Sequence, residues 1–379
     1  MEKIRILMIT QYYWPYCSGI TEYARRLAEE LVKENFDVAI FTVRHKPSLK
    51  GEETINGVKV IRNKILFRLS KGALSPFFVS RGLSISKDYD YVNLHLPMFE
   101  AGLFSIFVPK RKLIATYHCD LTLNKNFFEK IIEFFYYLSA KLCLIRANKI
   151  VTYTRDYALN SKILSKFTHK TYYVHPIVDY AHFKPKDKRI SKLKLGIRQN
   201  ELVIGFIGRL VFEKGLSYFL DSMSKILDRF PNTKFILAGN YKDVAGGSIY
   251  PQIKNKIEEN KSKIIVTGQI RYEDLPSFYS GCDVVVLPSI DKMESFGIVQ
   301  LESMLCSTPV VASDIPGVRV PINKTGFGLL AKPKNSISIS NAAIKILREP
   351  KFFVKPRSNI IKAFSKDSVV GAYKNIFGK

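Results

Sequence analysis

Asp283-Val-Val-Val-Leu-Pro288 is followed by Glu294-Ser-Phe-Gly-Ile-Val-Gln-Leu-Glu302 and then by Thr308-Pro-Val-Val-Ala-Ser313. The outer two segments are short β-branched apolar runs, the pattern of strands buried on both faces of a parallel sheet. Between them a Phe-Gly turn opens a helix. This strand–helix–strand order puts one carboxylate at the carboxyl end of a strand and a second two turns into the following helix. Open α/β sheets bind ligands at the carboxyl ends of their strands, and helix N-termini attract anions. The segment therefore points to a pocket for a ligand that is both phosphorylated and hydroxylated.

The same rhythm extends in both directions. Strands are expected at residues 4–10, 38–43, 91–96, 113–117, 149–154 and 171–174, and a helix at 21–34 with Tyr23, Ala24, Leu27, Ala28, Leu31 and Val32 on one face. The stretch 180–199 is polar, basic and contains Pro185, and it reads as a linker. The rhythm restarts at Leu202-Val-Ile-Gly-Phe-Ile-Gly208, with further strands expected at 234–238 and 263–267 and a last helix at 359–377. The fold class is α/β: two Rossmann-like domains facing a cleft. The expected boundaries are an N-terminal domain over 1–185, a linker over 186–200, a C-terminal domain over 201–355 and a C-terminal helix over 356–379.

Length and composition agree with two soluble domains: 379 residues, 46% hydrophobic and 24% charged. The five cysteines, Cys17, Cys119, Cys143, Cys282 and Cys306, are scattered and never spaced as CxxC, which reads as reduced cytosolic thiols. The start, Met1-Glu-Lys-Ile-Arg-Ile-Leu7, reads as a strand and not as a leader peptide. No apolar run is long enough for a membrane-spanning helix. The unusual quantity is charge: 59 Lys+Arg against 33 Asp+Glu, a net +26. Such an excess attracts polyanions, whether nucleic acid, anionic lipid or phosphorylated substrates. Residues 1–190 carry 31 basic and 17 acidic side chains, so both halves share the excess and there is no basic tail.

Three further places can carry chemistry. Gly205-Phe-Ile-Gly208-Arg209-Leu-Val-Phe-Glu-Lys214-Gly215 follows the first strand of the second half. Its glycines allow close backbone approach, and its Arg and Lys can pair with phosphate oxygens. It is neither a P-loop nor a GxGxxG fingerprint, and alone the pattern does not separate a phosphate site from two solvated cations. His118, in Ile114-Ala-Thr-Tyr-His-Cys-Asp120, stands at a strand end beside Asp120, where a structural and a catalytic histidine are both consistent with the pattern. Gly19, after Ser18, precedes a helix and could admit an acceptor or phosphate, or be a plain turn glycine.

Together these segments resemble the family 4 retaining glycosyltransferases, over nearly the whole chain. The resemblance is carried by Ser18-Gly19, Thr116-x-His118-x-Asp120, Val178-Asp179…Phe183-x-Pro185, Gly208-Arg209…Lys214-Gly215, Gly268-Gln269, Pro288-Ser289, the Glu294…Glu302 pair and Pro309-Val-Val-Ala312. It implies the GT-B architecture, with the C-terminal helix crossing back to the first domain. It implies that a sugar moves from a nucleotide diphosphate sugar to a glycan or lipid-linked acceptor with retention of configuration, with no cofactor and no metal. Arg209 and Lys214 would hold the diphosphate, joined by backbone N–H groups near Phe296, Gly297 and Ile298. Glu294 would bind hydroxyls of the transferred sugar and Glu302 the ribose diol, while backbone at Ile270 meets the base. His118 would reach the sugar, and Gly19 would let the first domain approach phosphate and acceptor. The chain departs from the family pattern at Ser18, where a glycine is common, at His175-Pro-Ile177 and at Ser307. None of these changes removes a charged participant.

The aromatic stretch 126–149 reads as a core helix or as an interfacial helix docking on anionic lipid, the second favoured by Lys110-Arg-Lys112 and by the overall charge. The expected location is the cytoplasm, with a peripheral position at the inner face of the cell membrane as the alternative to a free one. Rival readings are a nucleotide-sugar epimerase or a phosphorylase on the same fold, and a basic nucleic-acid-binding protein. No nucleic-acid partner is expected, since no binding-module signature or concentrated basic stripe is present.

Overall fold

The computed structural model describes residues 3–378, apart from 17, 66, 70, 71, 76, 124–126, 243, 245 and 246. The chain divides into two compact units, Met1–Ile177 with Lys366–Lys379, and Val178–Ser365.

The first unit is built on β1 (Arg5–Ile9), β2 (Asp37–Arg44), β3 (Glu52–Ile55), β4 (Val58–Lys64), a hairpin of β5 (Phe67–Leu69) and β6 (Gly72–Leu74), then β7 (Tyr91–Leu96), β8 (Leu113–Tyr117), β9 (Lys149–Thr152) and β10 (Thr171–Tyr173). Eight of these form one sheet in the order β10-β9-β8-β7-β1-β2-β4-β3. All neighbours are parallel except β3 with β4. Ile6, Leu7, Met8 and Ile9 of β1 are fully buried, as a central strand covered on both faces requires. Helix α1 (Gly19–Lys33) covers part of this sheet with Tyr23, Ala24, Leu27, Ala28 and Leu31. It starts where it does because Ser18 caps it: the Thr21 N–H donates to the Ser18 hydroxyl at 3.2 Å, and the Ser18 N–H donates to the Thr21 hydroxyl at 2.9 Å. Helices α2 (Ala101–Phe107) and α3 (Phe127–Arg146) pack together, α3 directing Tyr136, Ala140, Cys143 and Leu144 inward.

The second unit begins with α4 (Lys188–Lys194), within the stretch expected to be a linker. That expectation is corrected: α4 packs on the helix Leu275–Gly281, and Lys188 and Lys192 pair with Asp283 at 2.7 and 3.6 Å. Its high charge is that of a surface helix tied to the next layer. The sheet comprises β11 (Leu202–Ile207), β12 (Thr233–Ala238), β13 (Ile264–Gly268), β14 (Val284–Leu287), β15 (Val310–Ser313) and β16 (Gly328–Ala331), in the order β13-β12-β11-β14-β15-β16, all parallel. Helix α5 (Ile298–Leu305) connects β14 to β15.

The expected single C-terminal helix is two. Arg357–Ala363 belongs to the second unit, where the Arg357 guanidinium donates to the carbonyls of Tyr180 and Phe183. Helix α6 (Lys366–Phe377) belongs to the first unit. There the Tyr373 and Tyr23 hydroxyls share a hydrogen bond, Lys366 pairs with Glu30 at 3.1 Å, and Phe377 packs on Phe36. The last segment thus crosses back to the N-terminal unit.

Candidate active site

In the second sheet the chain builds outward in opposite directions from β11 and β14, so these adjacent strands form its topological switch point. Loops leaving neighbouring strands at such a point diverge and leave a crevice at their carboxyl ends. The loop after β11 carries Arg209 and Lys214, and the loop after β14 carries Glu294. Two contacts hold these loops against each other. The Ile290 N–H donates to the Glu213 carbonyl at 3.0 Å. Gly215 lies so close to Pro288 that a Cβ there would stand 2.0 Å from the Pro288 carbonyl oxygen, so no other residue fits.

That clamp brings two of the expected residues into contact: the Lys214 ammonium pairs with the Glu294 carboxylate. The Ser289 hydroxyl lies 3.5 Å from the same carboxylate. Both partners are mostly but not fully covered, with side-chain exposures of 21% and 17%. A lysine ammonium has three donors, so pairing with one carboxylate leaves it able to bind an anion as well. Arg209 stands 3.9 Å from Glu213 and is 30% exposed.

Glu294 leads directly into α5. Phe296 is buried, its ring near Phe364. Gly297 begins the helix at φ 75°, and a Cβ there would meet Leu287 at 2.3 Å and Gln300 at 2.9 Å. No side chain caps this helix start, so its first N–H groups keep the character of an anion site. Ile298 is its first residue and Ile270 follows β13, both partly exposed. Glu302, one turn and more into α5, is buried and accepts from the Tyr279 hydroxyl at 2.8 Å. Tyr279 was not foreseen from the sequence; a lone tyrosine on an apolar helix gives no signal of its partner.

Two expected residues belong to the first unit. Gly19 is the exposed first residue of α1, with nothing within 4 Å of where a Cβ would stand. The loop it ends leaves β1, which with β7 forms the switch point of the first sheet.

His118 is different. It follows β8 and is only 1% exposed. One ring nitrogen bonds to His95 at 3.0 Å and the other to the Tyr153 hydroxyl, and the Tyr23 ring packs edge-on against it. Burial pulls the His95 pKa down to about 3. Burial, and then the neighbouring His95, hold His118 well below the usual histidine value. Asp120, expected beside His118, instead accepts from the Tyr117 and Ser161 hydroxyls at 2.8 and 2.5 Å and from the Lys162 N–H at 2.9 Å. It anchors the loop after β8 and does not orient the imidazole. His95 was missed in the sequence, although a histidine inside an apolar strand was a visible signal.

Profiles of known families match both units: glycosyl transferases group 1 over residues 187–366, and glycosyltransferase family 4 over residues 17–179. The chain belongs to the family 4 glycosyltransferases. Among relatives of this glycosyltransferase is the O-antigen chain mannosyltransferase C of Escherichia coli, 23% identical over 99% of this chain and 98% of the relative. Among solved structures, sucrose-phosphate synthase from Thermosynechococcus elongatus superposes with a TM-score of 0.81 at 19% identity, over 99% of this chain and 100% of that one. The Anabaena protein HepE, solved with UDP-glucose, does so with a TM-score of 0.77 at 17% identity over 99% and 100%. The fold is therefore GT-B, and the enzyme is a glycosyltransferase.

Proposed function

We propose that this enzyme transfers a sugar from a nucleotide diphosphate sugar to a glycan or lipid-linked acceptor, with retention of configuration and without a metal. The observation that carries the reading is the Lys214–Glu294 pair, with Arg209 in the same loop as Lys214, at the carboxyl ends of β11 and β14. HepE, of the same fold, was solved with UDP-glucose, and the Escherichia coli relative is a mannosyltransferase of the O-antigen chain.

In this reading Arg209 and Lys214 neutralise the diphosphate, aided by the first N–H groups of α5 at Gly297 and Ile298. Glu294 accepts from hydroxyls of the transferred sugar, Glu302 from the ribose diol, and the backbone at Ile270 meets the base. As the bond between the anomeric carbon and the phosphate oxygen breaks, its electrons pass to that oxygen. The acceptor hydroxyl attacks the anomeric carbon from the same face and gives its proton to the departing phosphate. Cations aimed at the growing phosphate charge lower the barrier, by about 3–4 kcal/mol per key donor. His118, with both ring nitrogens engaged and almost no exposed surface, is proposed as a positioning residue for the loop after β8, since contact with the sugar would require its bond to Tyr153 to open. Gly19 leaves room for phosphate and acceptor beside α1.

The test is product analysis with a panel of nucleotide sugars, each with and without a glycan acceptor. Release of nucleoside diphosphate together with a new α- or β-linkage matching the donor supports the reading. Conversion of the donor alone makes the protein an epimerase, and an inverted linkage removes the retaining mechanism.

A further inference from the structure

Helix α3 has two apolar faces where a surface helix needs one. Tyr136, Ala140, Cys143 and Leu144 face the core. On the opposite side Phe127, Ile131, Phe134, Phe135 and Leu138 are exposed, Phe127 by 80% and Phe134 by 66%. The neighbouring α2 repeats the arrangement: Phe104 is buried while Leu103, Ile106 and Phe107 point outward, Phe107 by 65%. The two helices are held close. The Gly102 N–H donates to the Ser139 hydroxyl at 2.8 Å, and a Cβ on Gly102 would stand 2.7 Å from that oxygen. Their outward residues therefore lie on one side of a single packed pair. Scattered apolar residues on a surface are ordinary, but clustered large ones mark a docking face.

Charge identifies the occupant. Lys130 and Lys141 share the outer side of α3, and Lys110 and Arg111, both exposed, follow α2. The acid Glu133 is turned away, tied to the Lys162 ammonium at 2.7 Å and the Leu123 N–H at 2.8 Å. At the C-terminal end of α3, Lys170 donates to the carbonyls of Ile145 and Ala147. Burial, and then the charge of Lys110, lower its pKa. An apolar aromatic band flanked by cations is the composition of an interfacial membrane helix. No helix among the described residues is long and apolar enough to cross a membrane.

We propose that the outer faces of α2 and α3 dock this chain onto an anionic lipid surface, with the aromatic side chains entering the headgroup boundary and Lys110, Arg111, Lys130 and Lys141 meeting lipid phosphates. The inference stands apart from the transferase reading, because vesicle binding needs neither donor nor acceptor.

The experiment is co-sedimentation of the full chain with vesicles of phosphatidylcholine, or of equal parts phosphatidylcholine and phosphatidylglycerol, at low and high ionic strength. The mixed vesicles should bind at least about tenfold more tightly at low salt, and the difference should shrink at high salt. Lys110→Glu with Lys141→Glu should remove most of that preference. Phe134→Ser with Phe135→Ser should weaken binding to the mixed vesicles by about a hundredfold. Thermal melting checks that the variants fold, and where the phenylalanine variant does not, the lysine variant decides. Equal recovery with both vesicles at low salt, or variants that bind as the unaltered chain does, overturns the proposal. So does light scattering that finds a dimer which the phenylalanine variant splits, since a second copy would then be the occupant.

Discussion

At the residue scale a few charges and one glycine can each be tested singly. Lys214→Ala should lower kcat/KM by at least about a hundredfold, because a donor aimed at developing phosphate charge is worth about 3 kcal/mol. Glu294→Ala should cost as much while the fold, checked by melting, survives. Near-normal turnover in either variant removes these residues from the site. Gly297→Ala places a side chain at positive φ and against Leu287. The backbone alone accounts for about 1–2 kcal/mol of destabilisation, and the displaced helix start should reduce nucleotide binding as well.

The buried histidines make a separate prediction. Both are held below the ordinary value of 6.5, and His95 is held down to about 3, so folding favours their neutral forms. The unfolded chain takes up protons below pH 6.5 that the folded chain refuses. Stability contributed by this burial is therefore complete above pH 6.5 and is lost as pH falls from there towards 3. Each histidine steepens the loss by up to about 1.4 kcal/mol per pH unit. Urea unfolding between pH 7 and pH 4 should show this slope, and His95→Gln should flatten it; an unchanged slope would place the acid sensitivity elsewhere.

At the element scale, what was legible followed from periodicity. The strands at 91–96 and 113–117 coincide with β7 and β8, and the buried face of α1 is the one its spacing predicts, with Val32 only half buried. Continuous apolar runs in a parallel sheet leave little ambiguity. The antiparallel pair β3–β4 was not read, although Asn56-Gly57 between Thr54-Ile55 and Val58 is a hairpin signal. Its edge strand is polar and half exposed, so the alternation is faint. The linker reading of 186–200 failed for the opposite reason: charge density suggested loop, while ion pairs to Asp283, eighty and more residues on, make it a packed helix. In the candidate site, the Glu294…Glu302 segment and the Arg209/Lys214 loop were legible because their residue types and order are local. The contacts of Glu302 with Tyr279 and of His118 with His95 were not, because each joins two separate elements whose pairing no local pattern shows. The return of the C-terminal helix to the first unit was expected, and α6 makes it. Removing α6 by ending the chain after Ser365 deprives the first unit of Tyr373, Ile376 and Phe377, all fully buried. At about 1.5–3 kcal/mol for each buried large side chain, the truncated chain should lose several degrees of Tm or fail to fold, and an unaltered melting curve would show that α6 adds nothing.

At the scale of the whole molecule, two mainly parallel sheets have their switch points at β1–β7 and at β11–β14; Gly19, Arg209, Lys214 and the segment from Glu294 to Glu302 follow strands at those points, while His118 follows β8 and Ile270 follows β13. The net charge of +26 is spread over both units and suits a ligand that carries phosphate. The central claim is that Arg209 and Lys214 bind the diphosphate of a nucleotide. Calorimetric titration with UDP, GDP and ADP tests it most directly. One of the three should bind the unaltered protein, and Arg209→Ala with Lys214→Ala should raise its Kd by about a hundredfold or more without lowering Tm by more than a few degrees. A Kd that is the same in the folded double variant would contradict the account.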